Sequence, residues 1–231
     1  MEKYINRSPS HPPIESPTQN QEQTNINTFN NFRTMLRLIR IEHPNRDVYE
    51  GWWSDQHGCP HGPGTYMWAN GVRYEGSWKQ GRKHGYGVQT YPNGDKYDGG
   101  WKEGQWHGYG ELTRREQGRK YQGGFAAGQE HGYAVIRREN ALDGRHYEGG
   151  IRQGQRHGYG NLTTPVGTME GGFKFDRQDG WQEIRAPMRH DYSGTYREGK
   201  MWGVGRLNEY ATGKVYDGVW DNNEYRGPLR T

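Results

Sequence analysis

Histidine is the residue type in this chain whose spacing comes nearest to that of a chemical site. Imidazole can bind a metal ion or exchange a proton near neutral pH, so a regular set of histidines invites both interpretations. If each lies at one position of a repeated hairpin, neighbours are two strands, or about 10 Å, apart, whereas ligands of one zinc ion lie about 2.1 Å from it. We therefore predict that each histidine hydrogen-bonds locally beside its glycine and shares no metal ion. The five pairs are His61-Gly62, His84-Gly85, His107-Gly108, His131-Gly132 and His157-Gly158.

One short stretch, His57-Gly58-Cys59-Pro60-His61, holds three residues that could bind a soft metal ion. The sequence contains no second cluster at the spacing that structural zinc sites use, so we predict no metal site here. Cys59 is the only cysteine, which excludes an internal disulfide. We expect a free thiol on a loop and a protein of a reducing, intracellular and cytoplasmic environment.

Glycine pairs that superficially resemble phosphate-binding loops also recur. None continues to a dinucleotide-binding or P-loop motif, and each lies in a strand-like repeat without a helix to receive a phosphate. Acidic residues such as Glu75 and Asp98 recur once per repeat, whereas catalysis needs a unique, asymmetric set of groups. We therefore predict no catalytic residue, no cofactor and no enzymatic activity. The pairs are Gly85/Gly87, Gly108/Gly110, Gly158/Gly160 and Gly203/Gly205.

Composition indicates how such a chain could fold. Only 29% of its 231 residues are hydrophobic, but 37 glycines, 9 tryptophans and 17 tyrosines point to a core of aromatic rings packed on bare backbone. The 31 basic and 27 acidic residues are interspersed, which argues against a nucleic-acid partner. The chain has no long apolar run, so we expect neither a transmembrane span nor a secretory signal.

The N-terminal part differs from the rest, since every glycine and tryptophan lies after residue 50. Residues 1–28 are polar and proline-rich, which predicts a disordered tail. Residues 29–46 form a basic amphipathic segment, in which Phe32, Leu36 and Ile39 alternate with Arg33, Arg37 and Arg40 at helical spacing. We favour a short helix over 29–41, and a strand is the alternative. The segment would cap an open edge or face of the sheet, contact a partner or bind lipid.

Residues 47–231 form the repeat domain, in which an aromatic-acid-glycine triplet or a close variant recurs eight times at intervals of 22 to 26 residues. The glycine turns and the alternation within each unit predict a β-hairpin. Hairpins must pair edge to edge to bury their aromatic face, so the predicted fold is all-β: one elongated antiparallel sheet of about eight repeats, the last partial. The triplets begin at Tyr49, Tyr74, Tyr97, Tyr121, Tyr147, Met169, Tyr192 and Tyr216.

These units resemble the MORN repeat, whose pattern runs approximately Tyr-Glu-Gly-x-Trp-x-x-Gly-x-x-His-Gly-x-Gly, as in residues 74–87. Three departures predict less regular packing: Met169 at the first aromatic position, Ile151 at a tryptophan position, and an insertion over residues 54–60. The resemblance implies an elongated, non-enzymatic scaffold for protein assembly, often in cilia, the cytoskeleton or membrane junctions. It also implies lipid binding as a less secure function.

We therefore predict a non-catalytic scaffold that positions partner proteins in a larger complex, with a cilium, an axoneme or another cytoskeletal assembly favoured by the resemblance. The alternative is a peripheral membrane module that binds anionic phospholipid through the sheet or through Phe32, Arg33, Leu36, Arg37, Ile39 and Arg40. A homodimer formed through a terminal repeat remains open. The predicted partner-surface residues are Tyr49, Trp53, Tyr74, Trp78, Tyr97, Trp101, Tyr121, Phe125, Tyr147, Tyr192, Tyr196, Tyr216 and Trp220.

Overall fold

The computed structural model describes residues 36–138 and 144–229, and these residues form seventeen β-strands and no helix. The predicted tail, residues 1–28, lies outside this part of the chain, as do Phe32 and Arg33. The strands are β1 (Leu36–Glu42), β2 (Val48–Ser54), β3 (Cys59–Met67), β4 (Arg73–Lys79), β5 (Arg82–Thr90), β6 (Lys96–Lys102), β7 (Gln105–Arg114), β8 (Arg119–Ala126), β9 (Gln129–Arg138), β10 (His146–Arg152), β11 (Gln155–Thr164), β12 (Gly167–Lys174), β13 (Arg177–Ala186), β14 (His190–Arg197), β15 (Lys200–Glu209), β16 (Lys214–Asp221) and β17 (Glu224–Gly227).

All seventeen strands belong to one antiparallel sheet of tandem hairpins, which confirms the predicted fold class. A two-residue turn reverses the chain within seven of the eight hairpins, whereas the first hairpin, β2–β3, uses the four residues 55–58 of the insertion. At Gln80-Gly81 both residues have positive φ, 50° and 74°, the conformation that matches the twist of paired strands. The described residues divide into two compact units, 36–112 and 113–229.

The helix predicted over residues 29–41 is wrong where the structure describes it, because residues 36–42 form strand β1. This strand pairs along its whole length with β2, from Leu36 opposite Ser54 to Glu42 opposite Val48. Without β1, the backbone groups along that side of β2 would face solvent unpaired. The open edge therefore decides the conformation, and the segment covers the edge as a strand, the alternative that the sequence left open.

One tyrosine holds each standard repeat together, and the third repeat shows how. Tyr97 is fully buried, and its hydroxyl donates a hydrogen bond of 2.8 Å to the carbonyl of Gly100 on its own strand. Trp101, two residues beyond the glycine of the triplet, packs against that ring at 90° with centroids 5.2 Å apart. The Trp101 indole donates to the carbonyl of Gly87 in the preceding repeat at 3.0 Å. Ring packing and hydrogen bonds thus join each hairpin to its neighbour.

The glycines make room for that ring. A Cβ added to Gly110, on the adjacent strand, would come within 2.8 Å of the Tyr97 hydroxyl, and one added to Gly99 would lie 2.5 Å from the Cα of Gly110. Such contacts are closer than real side chains allow, so the ring lies where only glycine or a very small residue fits. The sheet obtains a core by laying its own rings over its backbone.

The sixth repeat, one of the three predicted departures, replaces this arrangement by another. Met169 has no hydroxyl, and Gln182 stands where the adjacent strand usually carries glycine. The fully buried Gln182 amide donates to the carbonyl of Gly172, three residues after Met169, which a tyrosine would otherwise reach. A Cβ added to Gly171 would meet the Gln182 amide, as one added to Gly149 meets the Tyr147 hydroxyl. Glutamine thus fills the space of the missing ring.

Exchanging both residues together should restore the standard repeat. We expect Gln182→Gly alone to lower the free energy of unfolding by about 2–4 kcal/mol, since it leaves a cavity and a carbonyl without its donor. Met169→Tyr alone should also destabilise, because its ring would meet the Gln182 side chain. The double variant should be at least as stable as wild type, since the buried Gln182 Oε1 has no hydrogen-bond partner.

Denaturant unfolding of the four proteins measures this coupling. Glu183→Gly, on the opposite face of the same strand, controls for the backbone effect of a new glycine. Additive effects of the two substitutions would show that Met169 and Gln182 do not act as a pair.

Candidate functional site

The aromatic residues predicted as a partner surface lie almost entirely in the core. We call the sheet face that carries them the inner face. Tyr196 and Tyr216 are half-buried, and the other eleven are at most 5% exposed. These rings hold the sheet together and are not free to anchor a partner. The eleven are Tyr49, Trp53, Tyr74, Trp78, Tyr97, Trp101, Tyr121, Phe125, Tyr147, Tyr192 and Trp220.

The opposite, outer face carries a second set of aromatics, which are not among the predicted partner-surface residues. They occupy the position after the His-Gly or Asp-Gly pair, and period-two alternation turns them away from the core. In the first unit they are Tyr86 and Tyr109, which are 64% and 72% exposed. In the second unit they are Tyr133, Tyr159 and Trp181, at 62%, 65% and 56%. The signal in the sequence was the place of the four tyrosines between small residues, on the face opposite the buried tyrosine.

Carboxylates fix several of these exposed rings. The hydroxyl of Tyr133 donates to Glu148 at 2.6 Å, and those of Tyr86 and Tyr159 donate to Asp98 and Glu170. The hydrogen bond to the carboxylate raises the pKa of Tyr133 and of Tyr159 above the ordinary phenol value, so both remain neutral donors. In these three repeats the acid of the triplet thus orients the ring of the preceding strand.

The described part of the basic segment is engaged with its own sheet. Arg37 forms an ion pair with Asp55 at 2.8 Å, and Arg40 lies 3.5 Å from Glu50. Leu36 and Ile39 are half-buried on β1. Both arginine charges therefore have acidic neighbours, which weakens the case for this strand as a lipid-binding patch.

The histidines gather no metal site: the described residues contain no group of three or more metal-ligating side chains. In His61 and His157 the Nδ1 atom is buried without a hydrogen-bond partner, so the predicted local hydrogen bond is not made through that nitrogen. His157 instead packs on the edge of the Phe175 ring, with centroids 5.0 Å apart. Cys59 is a free cysteine, as predicted, but it begins β3, and burial raises the pKa of its thiol. No helix in the described segments could span a bilayer.

Lys83 is the unusual titratable group of the inner face. Its ammonium nitrogen lies 4.4 Å from the ring centroid of Trp101, 5.1 Å from that of Trp68 and 5.4 Å from that of Tyr74. It donates a hydrogen bond to the side chain of Gln89. Burial lowers the pKa of Lys83 to about 7, because few water molecules solvate the charge.

Comparisons with known proteins identify the repeats. A family model described as the MORN repeat matches residues 56–73, 74–96, 97–119, 121–140, 147–169 and 192–207, just over half of the chain. Residues 170–191, which include Gln182, fall between two matches. None of the curated proteins compared with the chain matches it.

Two solved structures show a distant likeness. One is the SAS-4 (dCPAP) TCP domain of Drosophila melanogaster, in complex with a proline-rich motif of Ana2 (dSTIL); it is 11% identical, with 85% of this chain and 97% of that chain covered and a TM-score of 0.40. The other is a point mutant of the TCP10 domain of Danio rerio CPAP, 12% identical, with 79% and 91% covered and a TM-score of 0.36. At these scores the likeness has no bearing on function.

Lys83 should make stability depend on pH. Between pH 7 and about 10 the unfolded chain keeps its proton on this lysine while the folded chain loses it, so the free energy of unfolding should rise with pH. Chemical unfolding of wild type and Lys83→Met across this range tests the effect, because the contributions of Cys59 and of the tyrosines cancel in the difference. The difference in the free energy of unfolding between wild type and Lys83→Met should grow with pH. The same difference for the exposed control Lys79→Met should not change with pH. Parallel curves for wild type and Lys83→Met would contradict it.

Proposed function

This chain belongs to the MORN repeat family, and we propose that it is a non-catalytic scaffold that holds partner proteins on the outer face of its sheet. The observation that carries the proposal is the set of exposed outer-face aromatics. In the second unit these are Tyr133, Tyr159 and Trp181, which we call, with the valines Val204 and Val219 beside them, the outer stripe. All five are between 37% and 65% exposed.

Exposed aromatics on a rigid strand are suited to binding proteins. Tyr and Trp bury a large area with few rotatable bonds, and they dominate the energetics of protein interfaces. The carboxylate bonds of Tyr133 and Tyr159 hold two of these rings in place before any partner arrives. A preorganised ring loses less entropy on binding, which supports the use of this surface as a docking site.

The repetitive character of the surface supports a scaffold over an enzyme. Similar residues recur on every second strand, so the outer face offers several equivalent contact points. Enzymes need one asymmetric group of reactive residues, and the repeated pattern provides none. We further infer, from family resemblance alone, that the larger complex is a ciliary or other cytoskeletal assembly.

Removing the outer-stripe aromatics should abolish partner capture while the fold remains. We expect the triple variant Tyr133→Ser, Tyr159→Ser, Trp181→Ser to recover its partners at least about tenfold less efficiently, since interface aromatics carry much of the binding energy. The measurement is affinity purification of the tagged chain from its native cell, with crosslinking mass spectrometry to map the contacts. Far-ultraviolet circular dichroism verifies that the sheet is retained.

The matched control is Met188→Ser, which removes a side chain that is 91% exposed in the same unit but lies in a turn, off the outer stripe. This control should capture partners as wild type does. An unchanged set of stoichiometric partners with the folded triple variant would disprove the stripe as the docking surface.

The lipid alternative makes a distinct prediction. Because Arg37 and Arg40 lie beside acidic residues, we expect the full chain to sediment with phosphatidylserine vesicles no more than with neutral phosphatidylcholine vesicles at low salt. Salt-sensitive binding that disappears in Arg33→Gln, Arg37→Gln, Arg40→Gln would instead favour the membrane module. Arg33 is included because it belongs to the same basic segment of the sequence.

A further inference from the structure

We propose that the outer stripe binds a proline-rich protein segment in the polyproline II conformation, which crosses the strands and places a proline on each aromatic ring. This inference rests on the proposed scaffold function and specifies the chemistry of the partner. The register of the second unit, the general spacing of strands in a sheet and the charges beside the rings support it.

Registers place the stripe residues in one row across the sheet. Tyr133 on β9 lies opposite Gly150 on β10, and Tyr159 on β11 lies opposite Gly172 on β12. Trp181 on β13 continues the row opposite a threonine of β14. Val204 on β15 then pairs with Val219 on β16. Large exposed side chains therefore alternate with small residues, and each ring is followed by a shallow gap.

The distance between successive rings matches one polyproline II turn. Strands lie 4.7–4.9 Å apart, so rings on every second strand recur at about 9.6 Å. A polyproline II helix advances about 9.3 Å in each turn of three residues. Over the two steps from Tyr133 to Trp181 the mismatch is only about 0.6 Å, so prolines at every third position can each meet a ring.

Other peptide conformations fit this row less well. An α-helix presents the same side every seven residues, or about 10.5 Å, so its mismatch over two steps is about 1.8 Å. An added strand would pair with a sheet edge and run parallel to the strands, and it would not cross the stripe. Polyproline II has no internal hydrogen bonds, so it can also follow the twist of the sheet.

A row of acidic residues beside the stripe specifies the residues between the prolines. Glu148 and Glu170 lie two residues before the glycines opposite Tyr133 and Tyr159. Glu183 lies two residues after Trp181 on its own strand. Glu170 and Glu183 are directly opposite each other on β12 and β13, a placement in which like charges repel. Arg185 forms an ion pair with Glu183 at 2.5 Å. A cation from the partner beside Glu170 would relieve the remaining repulsion, so we infer that the segment carries Arg or Lys between its prolines.

Synthetic peptides test the spacing directly. The purified full chain is titrated with a peptide that has four prolines at every third position and arginines between them. A second peptide has the same composition but a proline at every fourth position. Calorimetry and the change in intrinsic tryptophan fluorescence report binding. We expect the first peptide to bind at least about tenfold more tightly than the second, because only the first keeps each proline in register with a ring.

Variants then locate the bound peptide. Tyr159→Ser should weaken binding of the first peptide about tenfold, and Met188→Ser should leave it unchanged. Glu170→Gln should weaken binding of the arginine peptide and not of a version with glutamines in place of the arginines. Equal affinity for the two proline spacings, or full affinity in Tyr159→Ser, would overturn the inference.

The outcomes separate this inference from the proposed function. If the triple stripe variant loses its cellular partners but the wild-type chain ignores both peptides, the scaffold stands and the proline-rich partner is wrong. If the triple variant keeps its partners and no peptide binds, both proposals fail.

Discussion

A tyrosine ring packed against two glycines is the contact on which this structure depends. A single sheet has no second layer to cover its apolar face, so the rings must find their packing within the sheet itself. In the third repeat Tyr97 does so by lying over Gly99 and Gly110 and by capping the carbonyl of Gly100. The following tryptophan packs against the edge of this ring and donates a hydrogen bond to a carbonyl of the preceding repeat. Low hydrophobic content and abundant glycine are thus two consequences of one packing solution.

The same alternation that buries one aromatic of each repeat exposes another. The sequence was sufficient to predict the hairpins, their turns and the faces shared within a strand, because period-two alternation and glycine turns are local signals. It was not sufficient to decide which face of the sheet is buried. Tyr74 and Tyr86 lie in strands of the same repeat, and residue type alone does not distinguish the buried tyrosine from the exposed one. The deciding feature is glycine on the neighbouring strand: Gly87 leaves room for the ring of Tyr74. This contact joins residues of two strands, so it cannot be recognised from the sequence of either strand alone.

Segment 36–42 shows a different limit of local reasoning. Its apolar and basic residues fit a helical spacing as well as an alternating one, so propensity alone cannot choose between them. The open side of β2 makes the choice, because a strand there pairs backbone groups that a helix would leave unpaired. In the sixth repeat, likewise, Met169 alone suggests a defect, whereas the compensating Gln182 lies on the next strand. Both features depend on contacts between segments that are not neighbours in the sequence.

Each standard hairpin brings its own buried tyrosine together with its own outer-face position, and this coupling affects how such a protein can evolve. A duplication or deletion of about two dozen residues adds or removes one core element and one contact point at the same time. Contact points along one bound segment act together, so affinity would change in steps with repeat number, as in multivalent binding. Selection can therefore change the binding affinity by changing the number of repeats, without altering the residues of any single contact.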